Sequence, residues 1–281
     1  MDPSGMQWAK IPYCKAAGLK SLQLAGNPIR SIRKDILERS SAEVIAFLRD
    51  RVKDSENPEI IEAKARECQS PRIHDVVRSR CLDLSSRGID SVPQSLVDGA
   101  AGQDIVAVDL SKNRFTQIPD NLLPLSKWLS DVNLGYNRLV NLESSIIDQL
   151  TSLTDLNIQC NALSSLPGGL SACRHIRELN ISTNRFEVIP NVVFKLAALE
   201  NLFAHDNLIQ GIDIDGLEKL KFLSTLDLRN NSIRTVPPAL GNITSLKGLR
   251  IEGNLFKVPN QTILAKGTAE VLKYLRNRIS D

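Results

Sequence analysis

At 281 residues the chain is long enough to bury a substantial core, as one elongated domain or two compact ones. Apolar residues make up 42% and charged residues 24%, and a formal charge of +3 is too small to argue for or against nucleic acid. No stretch has the length of an apolar membrane span, and "MDPSGMQWAKIPYCKAAG" carries no signal-peptide apolar run.

The first recognisable element is "LKSLQLAGNPIRSI", with Asn27, which leads into "ILERSSAEVIAFLRDRV" from Ile36 to Val52. Ser40 and Glu43 fit an S-x-x-E capping box, and Val44, Ile45, Leu48 and Val52 share one helical stripe. The spacing predicts a helix covering the end of an array, so residues 1–52 are expected to be a residual repeat with its cap. Residues 53–78 are polar and mixed in charge, which predicts a linker with a short helix around Ile60–Arg66.

From residue 79 the pattern LxxLxLxxNxLxxLP recurs. It fits "IVAVDLSKNRFTQIP", "LTDLNIQCNALSSLP", "IRELNISTNRFEVIP" and "LSTLDLRNNSIRTVP", among others. Its asparagines fall at Asn113, Asn137, Asn161, Asn184, Asn207, Asn231 and Asn254, spaced 24, 24, 23, 23, 24 and 23 residues apart. Alternate residues of "LxL" point inward along a short strand, so Leu156 and Ile158 should be buried and Asn157 outward. An Asn amide both donates and accepts, so stacked copies should pair backbone groups in their own and the adjacent turn. The proline suits an extended return that needs no ladder partner. One copy cannot bury its apolar face alone, which predicts a stacked, curved solenoid over 79–262. The opening copy, "CLDLSSRGIDSVPQSL", puts Arg87 at the Asn position, as an array end without a neighbour permits. The copy holding Asn207 lacks the proline and puts Ala204 at an inward position.

The final element, 263–281, echoes the first. "ILAKGTAEVLKYLRNRI" repeats Ile36–Val52 at an offset of 227 residues, with Val271, Leu272, Leu275 and Ile279 in the stripe. A second capping helix is expected; the rival is a helix lying on a membrane surface.

These residues resemble the leucine-rich repeat family of intracellular proteins. The expected class is therefore α/β: a leucine-rich repeat solenoid with a curved parallel sheet on the concave face and helical caps. The resemblance implies a protein-binding scaffold, with signalling as an analogy, and a longer parent with a further array upstream. The family supplies no catalytic residues to carry over.

The three histidines, His74, His175 and His205, have no nucleophile or carboxylate placed beside them by a motif. GxSxG, Walker A, GxGxxG and HExxH are all missing, so no enzyme, cofactor or small-molecule substrate is expected. Five scattered cysteines show no metal spacing. They point to a reduced intracellular compartment, cytoplasm rather than nucleus. The sequons at Asn180, Asn230, Asn242 and Asn260 are then accidental.

The repeat register lists the outward positions. A central column runs Asp83, Asp109, Asn133, Asn157, Asn180, Phe203, Asp227, Arg250. Two residues earlier in each strand, another includes Asp131, Asp155 and Glu178; two residues later, a third includes His205, Arg229 and Glu252. Asp and Asn in the centre suit solvated strands. Phe203 stands where every other copy is polar, which marks it as an interface anchor unless it tucks against His205 or a loop. Asp109, Asp131, Asp155, Glu178, Phe203, His205, Arg229 and Arg250 are therefore the candidate partner-binding residues, with a basic protein as the occupant. The alternative reading is a nucleic-acid-associated scaffold using Arg114, Arg138 and Arg185. Ala162, Leu208 and Ser232 interrupt that column, and no stacking platform accompanies it.

Overall fold

The computed structural model describes residues 71–142 and 146–279. The Asn27 repeat, the Ile36–Val52 segment and the linker up to Ser70 lie outside the described residues. One open sheet of eight parallel strands runs in chain order: β1 Cys81–Asp83, β2 Ala107–Asp109, β3 Asp131–Asn133, β4 Asp155–Asn157, β5 Glu178–Asn180, β6 Asn201–Phe203, β7 Thr225–Asp227 and β8 Gly248–Arg250. The registers pair Asp131 with Asp155, Asp155 with Glu178 and Asn180 with Phe203, as the repeat spacing requires.

Each strand is three residues long because its middle residue alone faces the core. Leu82, Val108, Val132, Leu156, Leu179, Leu202, Leu226 and Leu249 form that inward row. The residue two further on supplies a second row, from Leu84 to Ile251, with Ala204 in the place held elsewhere by Leu or Ile. Burial of each Leu or Ile contributes about 1.5–3 kcal/mol, so stacking stabilises what one copy cannot. The returns from strand to strand carry 3-10 turns such as Asp120–Leu125, Gly168–Ala172 and Pro238–Asn242, each entered through a proline in extended conformation.

The asparagine row is a hydrogen-bonded ladder. Asn184 Nδ2 donates to the carbonyls of Ile158, Ile181 and Ser182 at 3.0–3.1 Å, and its Oδ1 accepts from Leu163 N–H at 3.0 Å. Asn113, Asn137, Asn161, Asn207, Asn231 and Asn254 repeat the arrangement, each bonding to the preceding copy. Arg87 cannot start such a ladder. Its backbone N–H instead donates to Asn113 Oδ1, and its Nε is buried without a partner.

The residue just before each ladder position is left-handed. Ser86, Lys112, Tyr136, Cys160, Thr183, Asp206 and Asn230 have φ of 53–57°, and Gly253 has 73°. Such a conformation is costly for a residue with a Cβ, and the hydrogen bonds on either side hold it. Side-chain identity there varies so widely that no sequence signal announces it.

Helices close the array at both ends. α1, Ile73–Ser79, and α2, Gln94–Ala100, pack together, and α1 also packs on β1 with Val76 buried. α1 falls almost wholly in the stretch expected to be a linker; its apolar positions, Ile73, Val76 and Val77, span barely one turn. After the short α3, Ile214–Leu217, and α4, Gln261–Leu264, comes α5, Thr268–Arg276. α5 packs on β8 and on the Pro238–Asn242 turn, burying Val271, Leu272 and Leu275. Ile279 departs from the expected stripe: the helix ends at Arg276, and Ile279 is 37% exposed. Thr268 Oγ1 accepts the Leu249 N–H at 2.9 Å, which occupies a donor on the last strand that a ninth strand would otherwise take.

Candidate interface on the concave sheet

The central column has a structural occupation. Asp83, Asp109, Asn133, Asn157 and Asn180 each accept the backbone N–H two residues on, at 2.8–3.1 Å. This Asx turn bends the chain out of each strand, which is why Asp or Asn recurs there. Neighbours also bond sideways: Asn133 Nδ2 donates to Asp109 Oδ2 at 3.1 Å, and Asn180 Nδ2 to Gln159 Oε1 at 3.3 Å. Asp109 thus holds its own turn and its neighbour's side chain.

Phe203 has no acceptor and breaks the series. Its ring is half-buried on β6, between Asn180 and Asp227 in the neighbouring strands. Beside it, His205 Nδ1 lies 2.7 Å from Asp206 Oδ2, and Asn230 Nδ2 donates to Asp206 Oδ1 at 2.9 Å. These bonds, the His205 contact first, hold the Asp206 carboxyl below the usual range.

Asp227 and Arg229 differ from the expected solvated column. The Asp227 side chain is 1% exposed, because Arg229 folds over it with Nε 2.9 Å and Nη2 2.7 Å from the carboxylate. The Asp227 bond raises the Arg229 pKa further. Arg229 is therefore committed to its own strand. Arg250 sits 3.9 Å from the same carboxylate with its side chain 59% exposed, so it is only loosely held. Sequence spacing places these groups in adjacent columns, but it does not reveal which arginine folds inward.

The row two residues earlier is different in kind. Asp131, Asp155 and Glu178 are direct register partners on adjacent strands. None supports the turn that follows its strand; Asp155 Oδ2 accepts the hydroxyl of Thr154 at 2.7 Å. Partial withdrawal from water raises the Asp131 pKa, and the charges of Asp155 and Asp109 add to it. Glu178 rises for the same reasons, desolvation first and then Asp155, against a hydrogen bond to Asn201. No Lys or Arg stands among the concave positions of β1–β5. Among the described residues no three His, Cys, Asp or Glu side chains converge to hold a metal ion.

Three carboxylates in a row with no local counter-charge should cost stability. The native chain keeps its protons on Asp131 and Glu178 to higher pH than the unfolded chain does. Stability must therefore fall as pH rises from the ordinary values of 3.8 and 4.5 through the raised ones. The double variant Asp131→Asn, Glu178→Gln should melt about 1–2 °C above the parent at pH 7, with the gain vanishing near pH 3. Equal melting at both pH values would show that the row carries no strain.

Arg114, Arg138 and Arg185 are exposed just beyond the ladder, outside the concave columns. Among the described residues no helix is long and apolar enough to cross a membrane.

The comparisons agree with this architecture. Two family models, both described as leucine-rich repeat, match residues 127–186 and 222–243. The plant intracellular Ras-group-related LRR protein 8 of Oryza sativa subsp. japonica is 35% identical over 94 residues, 32% of this chain and 25% of that protein. An adenylate cyclase of Podospora anserina is 30% identical over 177 residues, 62% of this chain and only 8% of that protein. Among solved structures, an LRR protein of Leptospira interrogans superposes with a TM-score of 0.56 at 26% identity, covering 65% of this chain and 44% of that one. The chain thus spans well under two thirds of the relatives it matches. The fold is a leucine-rich repeat solenoid, a scaffold that in general mediates protein–protein interaction.

Proposed function

We propose that this leucine-rich repeat array is a non-enzymatic scaffold whose concave sheet binds a basic protein partner, through the Asp131–Asp155–Glu178 row and Phe203. The observation that carries the reading is the contrast between two columns. Asp and Asn in the centre form turns, whereas the acidic row supports no turn, and desolvation first, then neighbouring carboxylates, raise the pKa of Asp131 and of Glu178. Charge kept at a cost to the fold is charge with another use. Phe203 is the one aromatic on the sheet face, adjacent to that row, and a half-buried aromatic beside charged groups is the usual form of an interface anchor. Asp109 and Arg229 recede to supporting roles because each is already engaged, while His205 borders the anchor on its own strand and Arg250 lies two strands on, beyond Asp227. The match to an adenylate cyclase covers 8% of that protein and carries no activity over to this chain.

The scaffold role in intracellular signalling follows by analogy with the plant relative. The sequence segments that recur at an offset of 227 residues resemble those of leucine-rich repeat-containing protein 40. A phosphate backbone is a poor fit, because the concave positions of β1–β5 carry carboxylates and no cation.

Affinity capture from cell extract tests the reading. Phe203→Ala, and separately the reversal of Asp131, Asp155 and Glu178 to Lys, should each reduce recovery of the main partner at least about tenfold. Unchanged recovery with both variants would remove the concave face from the function.

A further inference from the structure

The spacing of the acidic row narrows the kind of partner, on the premise of the concave-face reading above. Asp131, Asp155 and Glu178 occupy one register position on three successive strands. Parallel strands lie about 4.8 Å apart, so the row advances about 4.8 Å per carboxylate and about 9.6 Å from first to last. An α-helix rises 1.5 Å per residue, which puts residues i, i+3 and i+7 at about 0, 4.5 and 10.5 Å along one face. An extended peptide showing alternate residues on one side spans about 13.6 Å from i to i+4 and runs out of step.

The sheet beside the row also leaves room. Ser111, Gly135 and Ser182 stand in the column facing it across the trough, with Gln159 the one long side chain among them. A Cβ at Gly135 would lie 3.2 Å from both Asn133 Oδ1 and Gln159 Cγ, so larger residues there would crowd the floor. Phe203 stands one strand beyond Glu178, about one further helical turn along the row, and two residues to the side of it, beside Asn180 in the central column.

We infer that the concave face takes a basic amphipathic α-helix laid across β3–β6, with cations at i, i+3 and i+7 over Asp131, Asp155 and Glu178 and an apolar residue one turn on against Phe203. The helix supplies at one periodicity both the charge that the row lacks and the apolar contact that Phe203 offers. Arg229 takes no part, being closed over Asp227, and the sheet beyond β6 holds its own counter-charges, with Asp227 bound by Arg229 and 3.9 Å from Arg250.

A hydrocarbon-stapled helical peptide with Lys at i, i+3 and i+7 and Leu at i+10 and i+11 tests this, against one of the same composition with Lys at i, i+2 and i+4. Fluorescence anisotropy at low salt should give micromolar binding for the first peptide and about tenfold weaker binding for the second. Binding should weaken as salt rises. It should be lost in the Asp131→Asn, Asp155→Asn, Glu178→Gln variant, with circular dichroism confirming that the variant is folded. Equal affinity of the two peptides would reduce the effect to diffuse charge attraction and overturn the inference. If neither peptide binds while capture of a cellular partner still depends on Phe203 and the acidic row, the helix is wrong and the concave reading survives. If capture is indifferent to those residues as well, both fall together.

Discussion

Asn184→Ala should lower the stability of the array by about 2–3 kcal/mol, which in a domain of this size is a fall of roughly 5–10 °C in melting temperature. Asn184 is buried at the centre of the ladder. Its Oδ1 is the acceptor for the Leu163 N–H, a buried donor that no water reaches. The three carbonyls it serves fare better, because Ile158 O also accepts from Asn161 Nδ2 and Ile181 O from Asn207 Nδ2. The dominant cost is thus one orphaned N–H together with the loosened left-handed turn at Thr183, whose φ of 54° the ladder enforces. Asn254→Ala gives the internal comparison. That rung is half-buried, so water can reach part of what it releases, the Ile233 N–H included, and its loss should cost about half as much. Thermal unfolding of both variants checks the ordering. Equal losses would mean that the asparagines act singly and not as a ladder.

The ladder was readable in advance because it imposes a residue type at a fixed spacing, and the strand registers followed from that spacing alone. Asp131, Asp155 and Glu178 became neighbours as soon as Asn137, Asn161 and Asn184 were aligned. Features that impose only a backbone conformation left no such trace. The left-handed position before each Asn accepts Lys, Tyr, Cys and Thr alike, since the flanking hydrogen bonds and not the side chain hold it. Asp227 shows a further limit. It shares its column with Asp109 and forms part of the same turn, yet it is buried because Arg229, two residues on, is long enough to fold over it. Ser111 and Ser182 stand at that same position in other copies and cannot do so. The distinction lies in a side-chain rotamer, which no periodicity encodes. Helix α1 is hard to read for a different reason: its apolar positions Ile73, Val76 and Val77 span barely one turn inside a polar stretch.

The largest single-residue effect at the array's end is expected at Gly241. A Cβ built there would meet Arg276 N at 2.6 Å and Leu272 O at 2.7 Å, both backbone atoms of α5 that cannot swing aside. Arg276 reinforces the approach, with Nε and Nη2 donating to Gly241 O at 3.1 and 2.8 Å. Gly241→Ala must therefore push the helix outward and loosen the contacts that bury Val271, Leu272 and Leu275. Forced overpacking of this kind costs about 1–3 kcal/mol, and disturbing the apolar seal adds to it. Because each copy touches only its neighbours, the damage should stay local. Amide exchange should accelerate across α5 and at Leu249, whose N–H loses the Thr268 hydroxyl, while the amides of β2–β4 keep their protection. Thr268→Val removes that acceptor without moving the helix, and should reproduce the faster exchange at Leu249 alone. Uniform acceleration across all eight strands in the Gly241 variant would contradict a nearest-neighbour solenoid and would make the cap a determinant of global folding.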